Sequence, residues 1–279
     1  LFILRASSPD GSILFFAKQL VITLALLAFG VLFERQIYGR RLAARFVIPL
    51  VKETPEGYTQ KLPFLVVRFI AGVIGVFVGM TFAALLGLLI FGTSDDTAVR
   101  FTNASIFAAY ALSRLIALVW RMILSPFLPQ YRIPPFSTHD AKKLHVWVMG
   151  LGIVDVTTMI FGEWLSELGL VYDVSAVMTL LLSTLFALGN IALVFANYGA
   201  ISSALRNGRE PNRVPLATRW ASTFWAPLFI LYVLYGWASM SWDLILGNDT
   251  GIPLIAGAYA ILTAVIVVYA TINYGIERY

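Results

Sequence analysis

Seven long, nearly charge-free apolar stretches constrain this chain more than any other feature. A lipid bilayer offers backbone amides no partner, so a run of roughly 20 apolar residues in hydrocarbon becomes a helix that satisfies its own hydrogen bonds. The stretches lie at 13–33, 62–91, 101–127, 145–165, 175–198, 217–245 and 252–274. Hydrophobic residues make up 59% of the 279 and charged residues 13%, where a soluble domain carries about a quarter charged. The expected fold class is an all-α membrane protein of seven transmembrane helices. Helices two, three and six exceed the minimum length and should tilt or protrude. Pro227 should kink the sixth, because proline removes a backbone donor.

The links alternate in charge, and Lys and Arg in short loops set orientation. The first link holds Arg35, Arg40, Arg41, Arg45, Lys52 and Lys61; the third holds Arg132, Lys142 and Lys143; the fifth holds Arg206, Arg209 and Arg213, with Arg219 just beyond, and Arg278 sits in the tail. The second, fourth and sixth links carry Asp95 and Asp96, then Glu167 and Asp173, then Asp249. The basic side is read as cytoplasmic, which places the amino terminus outside and the carboxyl terminus inside. Arg5 and Lys18 run against this, though Lys18 can snorkel. Asn-x-Ser/Thr triplets at Asn103 and Asn248 fall on the predicted outer face. Helices one and two, three and four, and five and six then form antiparallel hairpins joined on the inside. The seventh helix is unpaired and ends in a charged stub, which predicts that the polypeptide continues past Tyr279.

Between Glu34 and Leu50, Tyr38, Leu42 and Phe46 recur at helical spacing among arginines. This reads either as an interfacial helix on anionic headgroups or as a helix end obeying the topology rule. Pro49, Pro55 and Gly57 should end it. In helix two, Gly75, Gly79, Ala83 and Gly87 repeat every four residues, extended by Gly72. Such a stripe admits another backbone closely, within one subunit, at a subunit interface or along a lipid-filled groove.

Charges inside a span are costly and mark a site. Arg114 and Asp155 reach similar depth, roughly 15–18 Å from the inner boundary at 1.5 Å per residue, and are expected to pair. The pair reads as a structural clamp or as part of a proton or ion pathway. Arg121, seven residues on from Arg114, is shallow enough to snorkel, as are Arg68, Glu163 and Asp243 near helix ends. Asn190 and Asn197 share a face of helix five, where amides hold helices together or build a transport site. Trp147, Trp164, Trp220 and Trp242 fit interfacial belts. The two histidines, His139 and His145, with Asp140, lack a closed ligand geometry. With no cysteine and no catalytic motif, neither an enzyme, a metal site nor a cofactor is expected, nor a nucleic-acid partner.

The segment from Ser113 to Val148, SRLIALVWRMILSPFLPQYRIPPFSTHDAKKLHVWV, resembles a recurring segment in large members of the small-conductance mechanosensitive (MscS) channel family. There an arginine-bearing helix ends at Ser/Ala-Pro, an R-x-x-P link follows, and a polar-Asp-Ala-Lys/Arg run opens the next helix. The matching elements are Ser125-Pro126, Arg132 with Pro134 or Pro135, and His139-Asp140-Ala141-Lys142-Lys143. ANYGAISSALRN (196–207) and RWASTFWAPLFILYVLYGWA (219–238) are similar in character. The likeness touches about a quarter of the chain.

This resemblance implies that 1–279 is one peripheral sensor paddle of a homoheptameric channel in a bacterial inner membrane, releasing solutes under hypo-osmotic stress. The family's pore helix and cytoplasmic β domain are expected beyond residue 279, because no such helix follows the matching segments here. Membrane lipids are the expected ligands, held by basic rims from Arg40, Arg41, Arg45, Arg209 and Arg213. A secondary transporter or membrane-embedded accessory subunit is the alternative.

Overall fold

A computed structural model describes residues 13–92, 96–169, 171–248 and 254–278. Arg5, Asp95, Asp249 and Tyr279, used above for topology and continuation, lie outside the described residues. Those that are described fold into helices and links without a strand, and seven helices are long and apolar enough to cross a membrane.

Helix α1 starts at Ile13–Phe33 and does not stop there. It passes into a π-helical stretch, Glu34–Ala43, then Ala44–Val47 and a 3₁₀ turn at Ile48–Leu50. The first basic link is therefore mostly a continuation of the helix. Pro49 sits in its last turn, and the chain is extended from Val51. The remaining helices are α2 (Gly57–Phe91), α3 (Thr97–Leu124), α4 (Thr138–Glu167), α5 (Tyr172–Leu205), α6 (Leu216–Leu246) and α7 (Leu254–Arg278). Pro227 lies inside the run of α6 and Pro63 inside α2. Several helices outrun their apolar cores, since turns that leave hydrocarbon are held by caps and charges rather than by hydropathy.

The α3–α4 link shows how such ends are held. Helix α3 leaves unpaired carbonyls at its end, as every helix does, and Arg132 returns to satisfy one: its Nε donates to Leu124 O at 3.0 Å and its Nη1 to Phe136 O at 2.5 Å. Burial of this guanidinium pushes its pKa below the ordinary value. At the start of α4, Ser137 Oγ caps the helix by accepting from the Asp140 amide at 3.1 Å, and its hydroxyl donates to Asp140 Oδ2 at 2.7 Å. Helix α6 ends on left-handed Gly247, where the Asn248 amide reaches back to Asp243 O at 2.9 Å.

The chain forms two compact units: Leu1–Val51, Val66–Leu118 and Val156–Ser175; and Lys52–Leu65, Val119–Asp155 and Ala176–Tyr279. In the first, α1 packs on the small-residue stripe of α2. Ala83 is fully buried, and a Cβ on Gly30 would stand 2.5 Å from Gly79 O, so the two backbones touch only because both residues lack side chains. Gly75 lies against the Tyr38 ring and Gly87 against Leu26. Phe33 stacks on Phe82 at 4.1 Å. Trp164 Nε1 donates to Thr102 Oγ1 at 2.8 Å, tying α4 to α3.

The second unit has an apolar centre of Phe186, Ala187 and Val233, packed by Leu151, Phe229, Trp237 and Tyr259. Polar ties run through it: Trp237 Nε1 to Thr184 Oγ1 at 2.9 Å, Ser202 Oγ to Ser222 O at 2.8 Å, and Trp225 Nε1 to Ser202 Oγ at 2.9 Å. Glu277 of α7 accepts the Tyr58 and Thr59 amides at the start of α2, where a carboxylate complements the helix dipole.

The outward faces of the spans carry many large apolar side chains. Of the most apolar 18-residue window of each span, between 6% and 28% is buried, and Leu89 and Phe195 are 83% and 72% exposed. In water such a surface would be untenable; in hydrocarbon it costs nothing. The protein is thus a multi-pass membrane protein.

Candidate functional site

The most concentrated chemistry in the first unit lies where α1 turns π-helical. Glu34, 6% exposed, receives Arg114 Nη2 on Oε1 at 2.5 Å. The Tyr110 hydroxyl donates to Oε2. Tyr110 and Arg114 are one turn apart on α3 and so meet the same carboxylate. Arg114 Nε is buried without a hydrogen-bond partner. Tyr38, four residues past Glu34, donates to Ala71 O at 3.0 Å, so the π-helical stretch is fastened to both α2 and α3. Stretches of this kind concentrate at functional sites.

Asp155, the expected partner of Arg114, belongs to the second unit, and Arg114 has a carboxylate that the sequence reading did not assign to it. Within its unit, Arg114 is ion-paired with Glu34. The reason is the length of α1. Hydropathy ends that helix at Phe33 and assigns Glu34 to a solvated link, whereas the helix runs on and Glu34 stands midway between Ala17 and Leu50 of its span. The overlooked signal was available: an acidic residue opening an otherwise arginine-rich helical stretch.

Two apolar grooves lie against α1 in the same unit. One, of about 600 Å³, is walled by Leu26, Phe77, Met80 and Leu88 and carries Arg100 and Asn103 in its lining. Asn103 Oδ1 accepts from Thr23 Oγ1 at 2.5 Å. The other, of about 280 Å³, runs between the π-helical stretch and α2 and is lined by Tyr38, Leu42, Phe46, Val67, Ile70 and Ile74. Arg40, Arg41 and Arg45 are exposed on the same stretch of α1.

The five arginines expected to rim lipid grooves divide between the units. Arg40, Arg41 and Arg45 are exposed in the first, on the stretch of α1 that walls the smaller groove, but do not line it. Arg209 and Arg213 are exposed in the α5–α6 link of the second, and Arg213 Nε meets Glu210 Oε2 at 3.3 Å. Such an exposed pair holds little.

In the second unit, Asn190 Nδ2 donates to Phe186 O at 2.8 Å while its Oδ1 accepts from the Tyr259 hydroxyl at 2.6 Å. This amide therefore joins α5 to α7. Asn197 Nδ2 donates within its own helix, to Leu193 O at 2.9 Å, and its Oδ1 is buried without a partner. His139 is exposed, and Asp140 is engaged in the cap of α4. Arg121 and Lys142 both approach the Phe127 ring.

Comparison with protein-family models, curated proteins and solved structures finds no match.

Proposed function

We propose that this chain is a peripheral, lipid-contacting and tension-sensing transmembrane region of an MscS-like mechanosensitive channel that releases solutes under hypo-osmotic stress. The observation that carries the reading is the smaller groove. An apolar trough of about 280 Å³, walled by a helix that also carries three exposed arginines, suits an acyl chain with an anionic headgroup. On this reading the amino terminus is outside, the carboxyl terminus is cytoplasmic, the helices pair as inward-dipping hairpins, and the groove opens to the inner leaflet. The assembly is a homoheptamer in a bacterial inner membrane, with the pore supplied by other segments.

Tension acts here as a ligand acts elsewhere. Stretch thins the bilayer, so states differing in membrane area or lipid occupancy change in relative free energy. Patch recording of the full polypeptide with Arg40, Arg41 and Arg45 replaced by Gln tests this. Each arginine contributes about 1 kcal/mol of attraction to an anionic surface, so the triple replacement should shift the gating threshold. An unchanged threshold removes the lipid role.

The Glu34, Arg114 and Tyr110 cluster favours the second reading, a secondary transporter or accessory subunit, because polar groups deep in a bundle are where such proteins bind cargo. Solute-coupled flux in proteoliposomes at zero tension would select it.

A further inference from the structure

The larger groove, of about 600 Å³, is lined by α1, α2 and α3 and lies wholly within the first unit. Contacts between these helices set which residues share a depth. Thr23 meets Asn103 and Glu34 meets Arg114, so α3 runs parallel to α1. Gly30 meets Gly79 and Leu26 meets Gly87, so α2 runs antiparallel to both. Gln19 of α1 is therefore level with Arg100 in the first turns of α3 and with Gly92 at the end of α2.

All three of these residues line the groove, and they give it a polar end. Arg100 is exposed there. Asn103 lies one turn further in, its Oδ1 turned onto the Thr23 hydroxyl. Beyond that level the lining becomes apolar, with Leu26, Met80, Phe77 and Phe107, and with the hydroxyl of Thr81 among them. From Phe91 to Phe77 the groove follows α2 for about 21 Å at 1.5 Å per residue. One leaflet with its headgroups is roughly 20–22 Å deep, half of a bilayer of about 40–45 Å. The groove thus has the depth of one leaflet, a cation and two amides at the headgroup level, and an apolar trough below them. Its volume lies within the roughly 300–1,000 Å³ of ligand sites.

We propose that this groove binds a single glycerophospholipid of the leaflet on the α2–α3 link side. Arg100 holds the phosphate, for which a guanidinium is suited in charge and geometry. The Gln19 and Asn103 amides serve the headgroup and the ester oxygens below it, and one acyl chain lies along α2 toward Phe77. The site is at the opposite end of α1 and α2 from the smaller groove, so it does not rest on the lipid role proposed there. It requires only that the chain spans a membrane.

Photolabelling of the full polypeptide tests the assignment. The protein is reconstituted in nanodiscs of phosphatidylcholine with phosphatidylglycerol that carries a diazirine in the distal half of one acyl chain. It is then transferred to dodecyl maltoside, so that loosely held lipid leaves, irradiated, and mapped by peptide mass spectrometry. Adducts should concentrate on the peptides holding Phe77, Met80 and Phe107 and be sparse at Leu185 and Phe195, which are exposed on an outward face. Arg100→Gln should lower the groove labelling at least about fivefold, the loss of one arginine's attraction to an anionic headgroup. Ala104→Phe, which fills the trough from α3 at an exposed lining position, should abolish it with thermal unfolding unchanged. Replacing Arg40, Arg41 and Arg45 by Gln should leave it intact, which separates this site from the smaller groove. Labelling spread equally over groove and outward residues, or no lipid retained by the wild type, would overturn the site whether or not a variant folds. So would labelling of folded Arg100→Gln at the wild-type level.

Discussion

Glu34 is buried where α1 meets α3, with an arginine and a tyrosine on its two oxygens, so its removal should be costly in a predictable way. Replacing Glu34 by Gln keeps the shape but leaves Arg114 without a counter-charge. Breaking one side of a buried ion pair costs about 3–5 kcal/mol. The Arg114 side chain is 27% exposed and that of Glu34 7%, so partial solvation of the arginine places the expected loss near the lower end, about 3 kcal/mol. Arg114→Gln should cost about 2 kcal/mol, because the stranded carboxylate keeps its bond from Tyr110. The double replacement restores a neutral amide pair and should cost much less than the sum, giving a coupling of about 2 kcal/mol. Reversible unfolding in mixed micelles, followed by tryptophan fluorescence, measures all three. Additivity within about 0.5 kcal/mol would refute the pairing, as would a coupling of Arg114 to Asp155 as large as its coupling to Glu34.

Four further outcomes rest on the packing. Gly30→Ala drives a methyl to within 2.5 Å of Gly79 O, a backbone atom that cannot swing aside, and should lower stability by about 2 kcal/mol. Gly199→Ala, with nothing near its Cβ position, should be tolerated in the same thermal assay. Arg132→Gln removes the bonds to Leu124 O and Phe136 O; it should cost about 1–3 kcal/mol and speed proteolysis of the α3–α4 link. Trp164→Phe deletes the bond to Thr102 and should lower stability by about 1 kcal/mol, with α4 of the first unit exchanging amide hydrogens faster.

Spans were legible in the chain because hydropathy reports a bulk transfer free energy that needs no partner. The glycine stripe of α2 was visible for a similar reason: only a missing Cβ lets another backbone approach, and the spacing puts the gaps on one face. What covers the stripe was not legible, and α1 is the answer. Helix ends were read too short at α1, α4 and α5, since hydropathy fades at the edge of hydrocarbon while caps such as Ser137 with Asp140 hold the turns beyond it. Glu34 was missed as a partner of Arg114 for the same cause.

Composition and periodicity by themselves determined that this chain makes seven apolar helices with basic and acidic links in alternation. Both properties are sums over local residues, and neither depends on what lies next to what. The tertiary structure alone decided which intramembrane charges are compensated. A helix can carry Glu34 to any azimuth, and only the contact of α1 with α2, made possible by Gly30 against Gly79, sets that carboxylate before Arg114 and Tyr110. Compensation of charge is a pairwise property of distance and direction, so Glu34 has its partner only because α1 and α3 bring the two side chains together.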